Sequence, residues 1–121
     1  MAHILVIDDE EKILTMLKMA LERQGHEVST ALNGKEGIKI YRETFPDVVI
    51  TDIVMPEMEG LEAIKKLRDE FKDVKIIALS GGGFVDPKEY LKLAKHFGAQ
   101  YTFTKPADLK ELSNAIAELT T

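Results

Sequence analysis

The 121-residue sequence contains no cysteine, which excludes disulfide cross-links and thiolate metal sites and suits a reducing, cytoplasmic setting. It has no apolar run approaching the roughly 20 residues needed to span a bilayer, so no membrane association is expected. Its opening segment, MAHILVIDD, has no basic leader region, so no signal peptide is expected. Positive charge is in deficit: 16 Lys and Arg face 21 Asp and Glu, a formal net charge of −5. That balance speaks against a nucleic-acid surface built from bulk charge. Linkers, low-complexity tracts and repeats are missing too, so one domain over residues 1–121 is expected, with no output domain in this chain. What remains is a chain 45% hydrophobic and 31% charged, long enough to bury a sizeable core.

Apolar patterning alternates between two kinds. Short runs at HILVID (3–8), EVSTAL (27–32), DVVITD (47–52), KIIALS (75–80) and YTFTK (101–105) read as strands. Amphipathic segments follow each of them. The first helix, about 10–23, places Ile13, Leu17, Ala20 and Leu21 on one face and stops at Gly25. The second opens at Asn33 with Glu36 three residues on. The third, about 60–71, carries Leu61, Ile64, Leu67 and Phe71 at helical spacing. The fourth opens with Asp86 as cap and Pro87 in the first turn, and Gly98 closes it. The fifth opens at Asp108 and is expected to bury Leu109, Leu112, Ile116 and Leu119. Strand–helix alternation at this spacing predicts an α/β fold: a parallel sheet covered on both faces, with its ligand site beyond the carboxyl ends of the strands.

Polar groups gather at those ends. The first strand runs into Asp8 and Asp9, the third ends in Asp52, the fourth in Ser80 and the fifth in Lys105. Each has a plain structural explanation by itself: a helix cap, a turn before Pro56, a capped loop, a surface lysine before Pro106. Their shared position is what singles them out. Three carboxylates in one crevice repel, and a hard divalent cation with oxygen ligands relieves this; Mg2+ suits because it leaves room for a phosphate oxygen. A lysine and a hydroxyl beside it could stabilise a transferring phosphoryl group. Asp52, a single acid at the end of a central strand, is the best nucleophile, giving an aspartyl-phosphate.

The segments LVIDDE, DVVITDIVMPEMEG, IIALSG and TFTKPAD, with Asp52, Pro56 and Gly60 in D-x-x-x-P-x-x-x-G spacing, resemble the receiver domain of two-component response regulators, the CheY-like family, from end to end. The resemblance implies a flavodoxin-like sheet in the order 2-1-3-4-5. It implies that Asp52 takes a phosphoryl group from a histidine kinase or histidine phosphotransfer protein. Asp9 would hold Mg2+ directly, Asp8 through water, and Asp52 and the Val54 carbonyl would complete the set. Lys105 and Ser80 would contact the phosphoryl oxygens. A downstream partner is implied but not named. The fourth helix, fifth strand and fifth helix would form an output face, which could serve a phosphorylation-dependent homodimer.

Three other functions compete. A Mg2+-dependent phosphohydrolase working through an aspartyl-phosphate commonly places a second acid two residues after its nucleophile, where this chain has Val54. A flavin-binding relative would want a hydroxyl- and glycine-rich loop after the first strand, where four acids would repel a phosphate. A receiver-like scaffold that takes no phosphate need not keep the acids and Lys105, all of which are present. The histidines at 3, 26 and 96 lack metal spacing, the lysines at 65, 66, 72 and 75 read as a solvated face, and Met16, Met19, Met55 and Met58 suit packing or a partner surface.

The chain departs from the family at two places. Three residues before Lys105, where the family usually carries an aromatic switch, it has Thr102. Alternation aims the neighbouring Tyr101 and Phe103 at the opposite face. Between Ser80 and Lys105 the extra length falls at GGGFVDP, and the loop between Ser80 and Asp86, with its Gly81–Gly83 run, is expected to respond to phosphorylation. Amide exchange there, with and without a beryllofluoride mimic, checks this; identical exchange would count against it. Val54 and Gly82, at positions that tune hydrolysis in receivers, offer no group to hold water, so a long-lived phosphoryl state is expected. A half-life of seconds would contradict it.

Overall fold

The computed structural model describes residues 2–53, 60–80, 87–105 and 107–121. Strands and helices alternate along these: β1 (His3–Ile7), α1 (Glu11–Arg23), β2 (Glu27–Ala31), α2 (Gly34–Thr44), β3 (Val48–Asp52), α3 (Gly60–Glu70), β4 (Ile76–Ser80), α4 (Pro87–Phe97), β5 (Tyr101–Thr104) and α5 (Leu109–Thr120). All strand pairs are parallel, in the order β2-β1-β3-β4-β5, the flavodoxin-like arrangement expected. Among the described residues no helix is long and apolar enough to cross a membrane.

Side-chain alternation builds two cores. Ile4, Val6, Val48, Ile50, Ile77 and Leu79 face α1 and α5. Leu5, Ile7, Val49, Ile76 and Ala78 face α2, α3 and α4. Because both sheet faces are covered, β3 and β4 are buried at every position, as their continuous apolar runs require.

Two helix starts follow the capping chemistry in the sequence. The Asn33 side chain accepts from the Glu36 amide at 2.8 Å. Asp108 accepts from the amides of Lys110 and Glu111 at 2.8 and 3.2 Å. At the end of α4, Gly98 adopts φ 126°, and a Cβ there would lie 2.7 Å from Arg68 Nε. Only glycine suits both demands, and the space it leaves lets an Arg68 terminal nitrogen donate to the Gly98 carbonyl at 2.6 Å. The proposed Asp86 cap lies outside the described residues.

Some expectations need correction. Each strand is one residue shorter than its apolar run, so Asp8 and Lys105 stand just beyond their strands. The face of α1 centres on Leu14, Leu17 and Leu21, with Ile13 and Ala20 only half-buried. Leu112 and Ile116 of α5 are buried, but Leu109 is 41% exposed. It opens the helix at the carboxyl rim, where the sheet no longer lies beneath it.

Candidate functional site

Apart from Tyr41, the buried polar or charged residues among those described are Asp8, Thr51, Asp52 and Ser80. All four lie at the carboxyl ends of β1, β3 and β4. The order of strands reverses between β1 and β3, which places Asp8 and Asp52 on either side of the switch point. Alternation then aims three groups at one spot. Asp52 follows Ile50, Asp8 follows Val6 and Lys105 follows Phe103, all on the face that packs α1 and α5.

The result is a charge cluster largely withdrawn from water. Lys105 Nζ donates to Asp8 Oδ2 at 2.6 Å and lies 3.2 Å from Asp52 Oδ2. The side chains are 14%, 1% and 8% exposed in the order Lys105, Asp8, Asp52, so water screens these charges little. Burial by itself would lower the Lys105 pKa. The hydrogen bond to Asp8 and the charges of Asp52 and Asp8 outweigh it and hold the ammonium above its ordinary value of 10.5. Lys105 therefore stays charged at neutral pH. Its raised value means that the stabilisation it gives is complete below the ordinary lysine pKa and fades only as pH climbs through the raised one.

The other strand-end groups surround this pair. Asp8 uses its second oxygen to accept from the Glu10 amide at 2.9 Å. One carboxylate oxygen each from Asp8, Asp9 and Glu10 lies within 4.8 Å of the others. The first helix, expected from about residue 10, starts at Glu11 and leaves Glu10 outside its first turn. Glu10 is the extended N-cap of α1, makes no side-chain cap bond, and adds a third acid to Asp8 and Asp9. Glu11 does open the helix. An all-oxygen, anionic donor set of this kind fits a hard divalent cation. Ser80 points to the opposite face of the sheet from Asp52, and its hydroxyl is buried with no hydrogen-bond partner among the described residues. Such a group costs about 1–3 kcal/mol until something pairs with it.

Gly60 explains part of the motif spacing. A Cβ on it would lie 2.0 Å from the Asp52 carbonyl oxygen and 2.3 Å from Ile53 Cα, so only a bare Cα lets α3 start against the end of β3. Sequence reasoning missed Thr51, although a hydroxyl inside the apolar run VVITD was the available signal; it donates to the Asp52 carbonyl at 2.9 Å. Val54, Gly82 and the Gly81–Gly83 loop lie outside the described residues. Thr102 is half-buried on β5. Tyr101 and Phe103 turn to the α5 side as expected, their rings stacked at 6.4 Å, with the Tyr101 hydroxyl donating to Glu118.

The histidines and the exposed lysines stay apart from the cluster. His3 bonds Ser29, His26 accepts from the Ala2 amide, and His96 is exposed. Lysines 65, 66, 72 and 75 are exposed. Among the described residues, a cavity of about 510 Å3 lies beside Ala2, Asp47 and Lys75, and one of about 520 Å3 along α1 beside Met16 and Met19; neither is lined by a strand-end group.

A family model described as the response regulator receiver domain matches residues 4–117. The chain belongs to that family. A receiver domain protein from Clostridium thermocellum has the same fold, with a TM-score of 0.91 and 37% identity, over 99% of this chain and 94% of that one. The alkaline phosphatase synthesis transcriptional regulatory protein PhoP of Bacillus subtilis is 36% identical over 91% of this chain, which spans 45% of PhoP. Sporulation initiation phosphotransferase F of Bacillus subtilis is 28% identical over 93% of this chain and 89% of its own length. The chain is thus a receiver module of two-component phosphorelay signalling, under half the length of the PhoP it matches. Receiver domains typically bind Mg2+ at an acidic cluster, and Asp8, Asp9 and Glu10 form one here.

Replacing Lys105 by methionine should leave Asp8 and Asp52 facing each other with no cation between them. Urea unfolding at neutral pH without metal should then show a loss of about 3 kcal/mol, the scale for breaking a buried pair. Millimolar Mg2+ should restore much of it. An unchanged midpoint would mean that the ammonium contributes little to holding these carboxylates together.

Proposed function

We propose that Asp52 is the phosphoacceptor of this receiver and that Lys105 and Ser80 hold the incoming phosphoryl group. One observation carries the reading: one little-exposed ammonium contacts both Asp8 and Asp52, while on the neighbouring strand lies a buried hydroxyl with no hydrogen-bond partner among the described residues. Asp8, Asp9, Asp52 and the backbone carbonyl of Val54 would hold Mg2+, with Glu10 close by. When bound, the ion supplies positive charge to the phosphoryl oxygens.

The residues then divide the work. An Asp52 carboxylate oxygen attacks the phosphorus of a phosphohistidine on a histidine kinase or phosphotransfer protein. The new O–P bond forms as the N–P bond breaks, and its electron pair stays on the imidazole nitrogen. Lys105 can leave Asp8 for a phosphoryl oxygen, since its Nζ already lies 3.2 Å from the attacking side chain. The Ser80 hydroxyl gains in the phosphorylated state the partner it otherwise lacks.

The chain acts as one signalling domain of a cytoplasmic pathway and turns over no external substrate, because Val54 provides no acid or base where a phosphohydrolase needs one. Its α1 leaves Met16 and Met19 about half exposed beside the acidic end, a flexible apolar surface suited to the phosphodonor. The downstream partner, or a second copy through α4, β5 and α5, must bind the two phosphorylation states with different affinity.

Acetyl phosphate with Mg2+ provides the test. Intact mass should show one added phosphoryl group on the wild type and none on Asp52→Asn, with no addition in excess chelator. An adduct that survives in Asp52→Asn would move the acceptor elsewhere, and no adduct on the wild type would favour a scaffold that takes no phosphate.

A further inference from the structure

The phosphoacceptor is the last residue of β3, still paired with Leu79 of β4 but one step past the pairing with β1. The β1–β3 pairing stops at Ile7 and Thr51. One peptide later, the Ile53 amide donates to the Leu79 carbonyl on β4 at 3.1 Å. A trans peptide points its carbonyl the opposite way from its N–H, so the Asp52 carbonyl faces β1. β1 itself ends at Ile7.

That carbonyl is buried, and a buried backbone oxygen needs a donor. The structure supplies one from an unusual source: the hydroxyl of Thr51, itself fully buried, donates to it at 2.9 Å. The bare Cα of Gly60 closes in on the same oxygen from α3, and the Gly60 amide donates to the Ile53 carbonyl at 3.1 Å. One side chain and one missing side chain thus bracket a single peptide. The torsion they bracket sets how the Asp52 carboxylate leaves the strand, and where the chain goes next.

We propose that Thr51 is a positioning residue for the phosphoacceptor: its hydroxyl fixes the Asp52–Ile53 peptide and, through it, the carboxylate's approach to the phosphoryl donor. This rests on Asp52 being the acceptor. Threonine at 51 has a mainly apolar environment, so packing alone would be served equally by valine, whose shape is nearly the same. The hydroxyl is the difference between them.

Thr51→Val removes the donor and keeps the volume, and Thr51→Ser keeps the donor and removes the methyl. Two readouts apply to each in the full chain: amide hydrogen exchange by NMR, and the rate of adduct formation with acetyl phosphate and Mg2+. In Thr51→Val, exchange at Ile53 and Gly60 should rise by about tenfold while β4 amides such as Ile77 keep their protection, the pattern of a local opening. Adduct formation should slow by about tenfold, well within what a small misplacement of a reacting group produces. Thr51→Ser should recover both.

Wild-type behaviour of Thr51→Val in either readout overturns the proposal, as does a uniform rise of exchange across the sheet, which marks a purely structural role. If Thr51→Val does not fold, Thr51→Ala takes its place with the same two readouts. If the wild type forms no adduct, the acceptor assignment has failed, and exchange at Ile53 and Gly60 still decides whether Thr51 holds this peptide.

Discussion

A single ammonium holds the carboxyl end of this sheet together. Lys105 reaches both Asp8 and Asp52, two carboxylates almost removed from water, and without it their repulsion and desolvation would oppose the packing beneath them. Its own position comes from the edge of the sheet. The Lys105 amide donates to the Ser80 carbonyl at 2.8 Å, so the β4–β5 pairing carries the chain to the place from which the side chain turns back across β3 to β1. The charge balance around it is still negative, because Asp9 and Glu10 add to Asp8 at the rim. A site left with surplus negative charge and only oxygen donors is chemically prepared for a divalent cation.

The backbone is constrained as tightly as the charges. Gly60 brings the start of α3 against the Asp52 carbonyl, Thr51 donates to that carbonyl, and Ile53 is tied to β4. Beneath them the two cores are made of branched aliphatic side chains buried on both faces of β3 and β4. Close-packed interiors of this kind deform little, so the polar groups above them keep their mutual distances. Ser80 stands apart: its hydroxyl is buried but unpaired and faces the α2–α4 side, while the clamp faces α1 and α5. The two sides of the sheet meet only at the strand ends, which is where a phosphoryl group would lie.

Much of this was legible in the sequence. The two periodicities mark out the strands and helices, and Asn33 and Asp108 announce their helix starts. Four polar residue types at four strand ends point to the same rim. The misses share a cause. Leu109, Ile13 and Ala20 carry the right periodicity, but how far each is buried depends on where the sheet ends beneath it. Glu10 has the charge for a helix's first turn, yet it stays extended as the N-cap, joining the neighbouring acids. Thr51 reads in the sequence as an ordinary member of a strand, because its bond to the Asp52 carbonyl exists only in the folded backbone.

By itself the sequence determined the element order, the apolar faces and the set of chemical groups available at the carboxyl rim, because these follow from local periodicity and residue type. Only the tertiary structure decided which groups touch. Lys105 bonds Asp8, 97 positions earlier, and the Asp52 carboxylate lies beside the same ammonium. Those contacts come from strand order and register, set by non-local packing across the sheet. The opening acids Asp8 and Asp9 illustrate the division: adjacent in sequence and identical in chemistry, one is buried against a lysine and the other left exposed at the rim.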